Sequence, residues 1–245
     1  HCPQILYDKK ALELKNRLPL DLIEQNMQNQ YTLLASVSRS ANMDRIIRTF
    51  LERGPDGVIV QLGCGLETTY HRCDNGKTHW YAVDLPHVIE YRRGLLPEPE
   101  RECYMSGNAF AKDWIKNVRD EVLDTPILVI AGGLFHYFEE NKVIALLRMI
   151  GQFGNMEVVF DTVNKRGMTM MKKKYMKQVG HADAQMFFYV DSAEELAAKI
   201  GGNVKVIAEE PYYRYIPKNG LKMSTKVSMA VSDRFCMVKM IQLKL

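Results

Sequence analysis

Val58-Ile59-Val60-Gln61-Leu62-Gly63-Cys64-Gly65-Leu66-Glu67-Thr68-Thr69 is the stretch that decides the fold of this chain. Its apolar start, Val58 to Val60, reads as a parallel strand buried on both faces. The strand runs into Gly-x-Gly, and glycines let a ligand approach the backbone closely. At the carboxyl end of a first parallel strand, that is where nucleotide-like cofactors sit. The dinucleotide fingerprint needs a third glycine three residues later. Here that position is Thr68, so a pyrophosphate cradle is poorly supported. Asp84 follows about 20 residues after Gly65, at the end of a second strand, where an acid accepts hydrogen bonds from both ribose hydroxyls. Gly-x-Gly without the third glycine, plus this acid, suits S-adenosylmethionine better than NAD, because that cofactor has an adenosine but no phosphate to cradle. The competing reading is a purely structural turn.

Outward from this motif, helix and strand periods alternate. Upstream, Met43, Ile46, Ile47, Phe50 and Leu51 share one helix face, and Gly54-Pro55-Asp56-Gly57 breaks the chain. Downstream, Trp80–Val83, Glu102–Met105, Ile127–Ala131 and Val158–Phe160 read as further strands. Pro86 suits the first turn of a helix. Val143, Leu146, Leu147 and Ile150 mark another helix, and Ser192 with Glu195 forms a capping box. Val204–Ile207 and Phe235–Leu243 read as two final strands. This alternation implies βαβ units, right-handed crossovers and a mostly parallel sheet. With no repeat and no low-complexity linker, a single domain is expected over 1–245. Its parts are an N-terminal helical cap (about 1–54, with helix over about 5–50) and a cofactor-binding core (about 55–163). A cap insertion (about 164–190) and a C-terminal helix with strands (about 191–245) complete it. The insertion carries Met168, Met170, Met171, Met176 and Met186. They line a ligand site or pack a helix, since Met fills irregular gaps in any core.

Composition excludes several classes. The 245 residues carry 33 Lys+Arg against 29 Asp+Glu, a net charge of +4, which is too weak to argue for nucleic acid. Lys172-Lys173-Lys174 reads as a solvated helix face rather than an RNA patch. With 47% apolar and 25% charged residues the chain is ordinarily globular. No apolar run approaches the roughly 18 residues of a membrane span. The 5 cysteines are odd in number, widely spaced and lack a Cys-x-x-Cys pair. That argues against disulfides and zinc, and for a reducing cytoplasm. No His-x-x-x-His pair is present, so no metal is expected. The sequence opens on His1 without a signal-peptide pattern, and a shortened start rather than a secreted protein is expected.

Gly63-Cys64-Gly65-Leu66-Glu67-Thr68-Thr69-Tyr70-His71-Arg72 resembles a Gly-x-Gly-Leu-Asp-Thr-(Arg/Thr)-x-x-Arg motif. The motif belongs to the family that contains leucine carboxyl methyltransferase and the tetracenomycin-type polyketide O-methyltransferases. Asp84-Leu85-Pro86-His87-Val88-Ile89 resembles its Asp-x-Pro-x-Val-Ile signature, and Arg92-Arg93-Gly94-Leu95-Leu96 its basic-Leu-Leu continuation. Gly133-Leu134-Phe135-His136-Tyr137-Phe138 is similar to its Gly-Leu-x-x-Tyr-Leu segment. The resemblance covers roughly residues 5–245. It implies an α/β Rossmann-like class I methyltransferase with a seven-stranded sheet, an antiparallel last strand and a helical cap. It also implies S-adenosylmethionine as donor and S-adenosylhomocysteine as product, with Arg39, just before the Met43–Leu51 helix, on the cofactor's carboxylate. The alternative for Arg39 is a solvated surface side chain. The cofactor set expected from motifs and resemblance is Arg39, Gly63, Cys64, Gly65, Asp84, Leu85, Asn108, Ala109 and Gly132. Three departures stand out. Glu67 replaces an Asp, Gly132 stands where many members have a Glu that helps hold the cofactor, and Asn108 replaces the Asp that commonly meets the adenine amine. Asn keeps an acceptor oxygen.

Methyl transfer from a sulfonium is an in-line displacement, so the protein mainly supplies position and orientation. A carboxylate acceptor needs no base, whereas a hydroxyl benefits from one. His136, just beyond the fourth strand, is the candidate base, or else a helix-start His without a chemical role. Tyr137 beside it is a candidate substrate contact. Asp161 is either a substrate contact or, as the safer expectation, a helix cap. Tyr212, Tyr213 and Tyr215 form an aromatic wall for a flat acceptor or are half-buried packing. The leading function is an O-methyltransferase acting on a small-molecule hydroxyl or carboxylate, polyketide-like at family level. Alternatives are a protein C-terminal carboxyl methyltransferase and a non-catalytic relative. An NAD-dependent dehydrogenase is disfavoured by Thr68.

Overall fold

The apolar run that opens the motif forms β1 (Val58–Leu62), every residue of which is buried. The computed structural model, which describes residues 3–18, 30–178 and 186–245, places β1 inside a seven-stranded sheet. The other strands are β2 (Trp80–Asp84), β3 (Glu102–Ser106), β4 (Ile127–Ala131), β5 (Met156–Val163), β6 (Lys205–Pro211) and β7 (Val238–Lys244). Their order is β3-β2-β1-β4-β5-β7-β6. β1 to β5 pair in parallel, and β7 is antiparallel to both of its neighbours. The expected sheet is therefore present. Strand order reverses at β1, between β2 and β4, and a crevice at the strands' carboxyl ends follows from that reversal.

Nine α-helices are described: α1 (Lys9–Leu14), α2 (Gln30–Arg53), α3 (Thr69–Cys73), α4 (Pro86–Leu95), α5 (Asp113–Val122), α6 (Glu140–Gly151), α7 (Lys165–Gln178), α8 (Ala193–Ile200) and α9 (Met223–Arg234). They cover both faces, which is why the central strands read as unbroken apolar runs. On one face Val58, Val60 and Leu62 pack with Ile115, Leu147 and Phe188. On the other, Ile59, Leu128, Ile130 and Val159 pack with Ile47, Phe50 and Met229. Burying each such side chain contributes about 1.5–3 kcal/mol. Pro86 opens α4, and Ser192 Oγ accepts from Glu195 N at 3.4 Å, as expected.

Three boundaries differ from expectation. Arg39 lies inside α2 (Gln30–Arg53), not just before the helix that carries Met43–Leu51. The helix face continues upstream through buried Leu34, Ser38 and Asn42, and the two polar members hide the apolar period. Phe235 ends α9 instead of starting the last strand. Cys236, at φ 44°, turns the chain, and β7 begins at Val238. Asp161 lies within β5 and is no helix cap. Of the N-terminal helical stretch, residues 19–29 lie outside the described residues, as do 179–185 of the cap insertion. Met168 and Met186 are buried around Val163, with Met171 against them, while Met170 is exposed. The Met176 side chain lies outside the described part. No described helix is long and apolar enough to cross a membrane.

Candidate functional site

Parallel register lines up the strand ends that carry the motifs. Gln61 faces Ile130 and Leu62 faces Val83, so Gly63 is carried between Asp84 and Gly132. Gly63 N donates to Val83 O at 2.9 Å. Gly65 adopts φ 48°, a left-handed turn that a side chain would strain, with open space where a Cβ would point. Its N–H donates to Asp84 Oδ2 at 2.8 Å, and Leu85 N donates to Asp84 Oδ1 at 2.7 Å. Asp84 is thus fixed at the mouth of the crevice with lone pairs to spare. Cys64 contributes backbone only. Its side chain is buried among Ala82, Ile89 and Tyr104, and burial pushes the thiol up to about 12.

The loop after β3 is tied to the same edge, because Gly107 N donates to Asp84 O at 2.8 Å. Asn108 is exposed and its Oδ1 accepts from Phe110 N at 2.9 Å. Ala109 O accepts from the Trp114 indole at 2.9 Å, which holds this loop against α5. Leu85 is 46% exposed beside it. A cavity of about 460 Å³ opens here, lined by Asn108, Phe110, Phe138 and the α6 residues Lys142, Ala145, Leu146 and Met149. A second cavity of about 550 Å³, between residues 5–13, α2 and α3, includes none of the expected site residues.

At the end of β4 the chain passes Gly132 and Gly133, then the 3-10 turn Phe135–Tyr137. Arg39 reaches across from α2. Gly133 adopts φ 68°, where a side chain is strained, and a Cβ there would also crowd Arg39 Nη1 at 2.8 Å. Arg39 Nε donates to Asp161 Oδ2 at 2.8 Å, and Gly133 N donates to Asp161 Oδ1 at 2.6 Å. His136 Nε2 lies 3.3 Å from the same Oδ2. Asp161 is 2% exposed. Burial alone would raise its carboxyl, but Arg39, His136 and the Gly133 N–H outweigh that and hold it well below the usual carboxylate range. An ionised carboxylate only accepts, so His136 Nε2 carries a proton, and in the neutral ring the lone pair is then on Nδ1. Nδ1 is buried and has no hydrogen-bond partner. Asp161 raises the Arg39 guanidinium still further above its ordinary value.

The tyrosines divide. Tyr137 is 47% exposed, next to His136. Tyr212 and Tyr213 are buried with α2 side chains such as Ile47, the Tyr212 hydroxyl donates to Ala35 O at 3.0 Å, and the Tyr213 ring meets Tyr31. Burial raises the Tyr212 hydroxyl, which also lies against Arg39. Tyr215 is exposed under Arg45. Among the described residues no group of three or more His, Cys, Asp or Glu is placed to hold a metal ion.

Sequence reasoning gave Asp161 only as a substrate contact or a helix cap and did not single out the Arg92 side chain. Asp161 is the hub of the β4–β5 edge. The two-residue strand period carried the signal, since it places Asp161 on the face of Val159, toward α2. Arg92, inside the basic-Leu-Leu stretch, donates to Gly65 O at 3.1 Å and Glu67 O at 2.7 Å, beneath the glycine loop.

Across residues 5–151 the sequence matches the description leucine carboxyl methyltransferase. The chain belongs to the leucine carboxyl methyltransferase family. It is also 28% identical over 200 residues to the tetracenomycin polyketide synthesis O-methyltransferase TcmP of Streptomyces glaucescens, across 81% of this chain and 72% of that protein. This family member is an S-adenosylmethionine-dependent O-methyltransferase, as its motifs lead one to expect. Its fold is that of solved methyltransferases. Magnesium protoporphyrin IX methyltransferase of Synechocystis aligns over 96% of this chain and 99% of its own, with a TM-score of 0.54 at 11% identity. A SAM-dependent methyltransferase of Anabaena variabilis aligns over 84% and 86%, with a TM-score of 0.54 at 12% identity.

Proposed function

We propose that this leucine carboxyl methyltransferase family member methylates a small molecule at a hydroxyl or carboxylate, in the cytoplasm, as one domain over 1–245. Polyketide-like acceptors are the class. The cap and core divisions about 1–54, 55–163, 164–190 and 191–245 belong to this reading, and the unpaired Cys64, Cys73, Cys103 and Cys236 support the reducing compartment. The donor set at the strand ends fits S-adenosylmethionine. Asp84 has acceptor capacity for the ribose hydroxyls, and Asn108 and Ala109 lie where the adenine is read. Leu85 supplies apolar surface, and Gly63, Cys64, Gly65 and Gly132 supply approachable backbone. Arg39, still 30% exposed, offers its Nη groups to a carboxylate.

Bound S-adenosylmethionine supplies a methyl group already activated on a sulfonium. What this chain adds is position and one proton acceptor. The observation that carries the reading is the buried, unpartnered His136 Nδ1 at the end of β4. Asp161 holds the other ring nitrogen, so Nδ1 is the atom that takes the acceptor's proton. That favours a hydroxyl over a carboxylate, which needs no base. Tyr137, exposed beside it, is the acceptor-side contact. Tyr212 and Tyr213 are packing beneath Arg39 in this reading, not a wall facing the acceptor.

The test pairs calorimetry with a turnover assay on a panel of phenols and aromatic carboxylates. His136→Ala should lower kcat on a phenol by about 100-fold or more and leave cofactor affinity unchanged. Undiminished turnover removes the base. Methylation of carboxylates alone moves the acceptor class.

A further inference from the structure

Arg39 of α2 and two members of the turn after β4, Gly133 and His136, converge on one carboxylate of β5. Asp161 accepts the Arg39 Nε–H at 2.8 Å and the Gly133 N–H at 2.6 Å, and its Oδ2 lies 3.3 Å from His136 Nε2. The carboxylate is 2% exposed, so it does not itself face a ligand. A guanidinium gripped at Nε is restrained in rotation, and its plane is set by the carboxylate. Its Nη groups do not bond Asp161; Nη1 lies against Gly133, and the side chain remains 30% exposed, which leaves the guanidinium partly open to a ligand carboxylate. The same contact fixes the His136 tautomer, as argued above, with the lone pair on Nδ1.

We propose that Asp161 is a positioning residue that aims both working groups of the site. It orients the Arg39 fork for the amino-acid carboxylate of the cofactor, and it holds His136 with Nδ1 as the proton acceptor. The inference rests on the reading of Arg39 and His136 given under the proposed function. It assigns Asp161 neither a substrate contact nor a capping role. Leu134 and Phe135 separate Gly133 from His136, so one carboxylate registers the whole turn after β4 against α2.

The experiment compares two ligands of the full chain by calorimetry. One is S-adenosylhomocysteine, and the other is 5′-methylthioadenosine, the same thioether nucleoside without the amino-acid carboxylate. Asp161→Asn keeps the size of the side chain and an acceptor for the Gly133 N–H but removes the charge. It should weaken S-adenosylhomocysteine by about tenfold or more while methylthioadenosine binding stays unchanged. Arg39→Ala should show the same selective loss, and the double variant should be no weaker than either single one. At saturating donor, Asp161→Asn should also lower kcat further than Arg39→Ala does, because only the former disturbs His136. If Asp161→Asn weakens both ligands alike, or neither, while Arg39→Ala still discriminates, Asp161 is merely structural and the cofactor reading survives. If Arg39→Ala does not discriminate, the cofactor reading and the proposal fall together. Should Asp161→Asn not fold, Arg39→Lys decides. One ammonium cannot grip Asp161 and present a fork, so selective loss is expected, and wild-type affinity would overturn the proposal.

Discussion

Arg92 is fully enclosed under the glycine loop, where Nη1 holds two loop carbonyls and Nη2 meets Glu102 at 3.2 Å. Its guanidinium also stacks on Tyr104, 4.7 Å from the ring centre. Burial pushes the Glu102 carboxyl up to about 7 from an ordinary 4.5, against the pull of Arg92. The sign follows from linkage. An acid that titrates higher when folded costs stability as pH rises, because the unfolded chain ionises first. The Glu102 contribution therefore declines between pH 4.5 and about 7 and is level above that. One pKa unit is worth about 1.4 kcal/mol, so the whole effect is at most on the order of 3 kcal/mol. Glu102→Gln mimics the protonated form. The melting temperature of the natural protein minus that of Glu102→Gln should fall across this window, and a flat difference would remove Glu102 as the titrating group. Asp161 shows the opposite case. It has the same kind of burial, but a cation, an imidazole N–H and a backbone N–H all favour its charge. Composition could not separate these two acids, since both lie in strands and only the partners differ.

Arg72 ties separate elements together. From α3 it takes Asp44 of α2 in a two-point grip, with Nε at 2.8 Å and Nη2 at 3.0 Å. Its Nη1 holds Asp8, the cap of α1, and donates to Thr68 at 2.9 Å. Arg17 adds donors to Gly94 O and Leu95 O at the end of α4. The described N-terminal segment is thus clamped over the loop that follows Gly-x-Gly. Asp44 is 2% exposed, with Arg48 at 3.7 Å as its remaining partner. Removing one partner of a buried pair leaves an uncompensated charge worth about 3–5 kcal/mol. Arg72→Met should lose about 3 kcal/mol in urea denaturation and expose residues 3–18 to early proteolysis. A loss below about 1 kcal/mol would make the cluster an ordinary surface network. The elements themselves were mostly legible. Runs such as Ile127–Ala131 need no partner to be recognised as buried strands. The continuation of the Met43–Leu51 face back past Arg39 was not legible, because Ser38 and Asn42 are buried and polar. Asn42 is accommodated only by donating to Tyr212 O at 2.8 Å, 170 residues away in sequence.

At the scale of the molecule, the crevice exists because β1 and β4 are neighbours in space and distant in sequence. Binding there should stabilise the whole fold by mass action. S-adenosylhomocysteine at a hundredfold excess over its Kd should contribute about 2.7 kcal/mol and raise the melting temperature, whereas NAD should leave it unchanged. A rise with NAD instead would contradict the cofactor class. The alternation of apolar strands and amphipathic helices, the glycines of the turn and the acid that ends β2 were settled by sequence alone. Each depends on local periodicity, local backbone freedom or a fixed spacing along the chain. Tertiary structure decided what the polar side chains of the edge do. Arg39 is tied through Nε to Asp161, Asp161 is buried, and His136 Nδ1 has no hydrogen-bond partner. Tyr212 and Tyr213 became core. Those roles depend on which elements pack against β4 and β5, and contacts made across 122 residues, as between Arg39 and Asp161, leave no periodic trace in the chain.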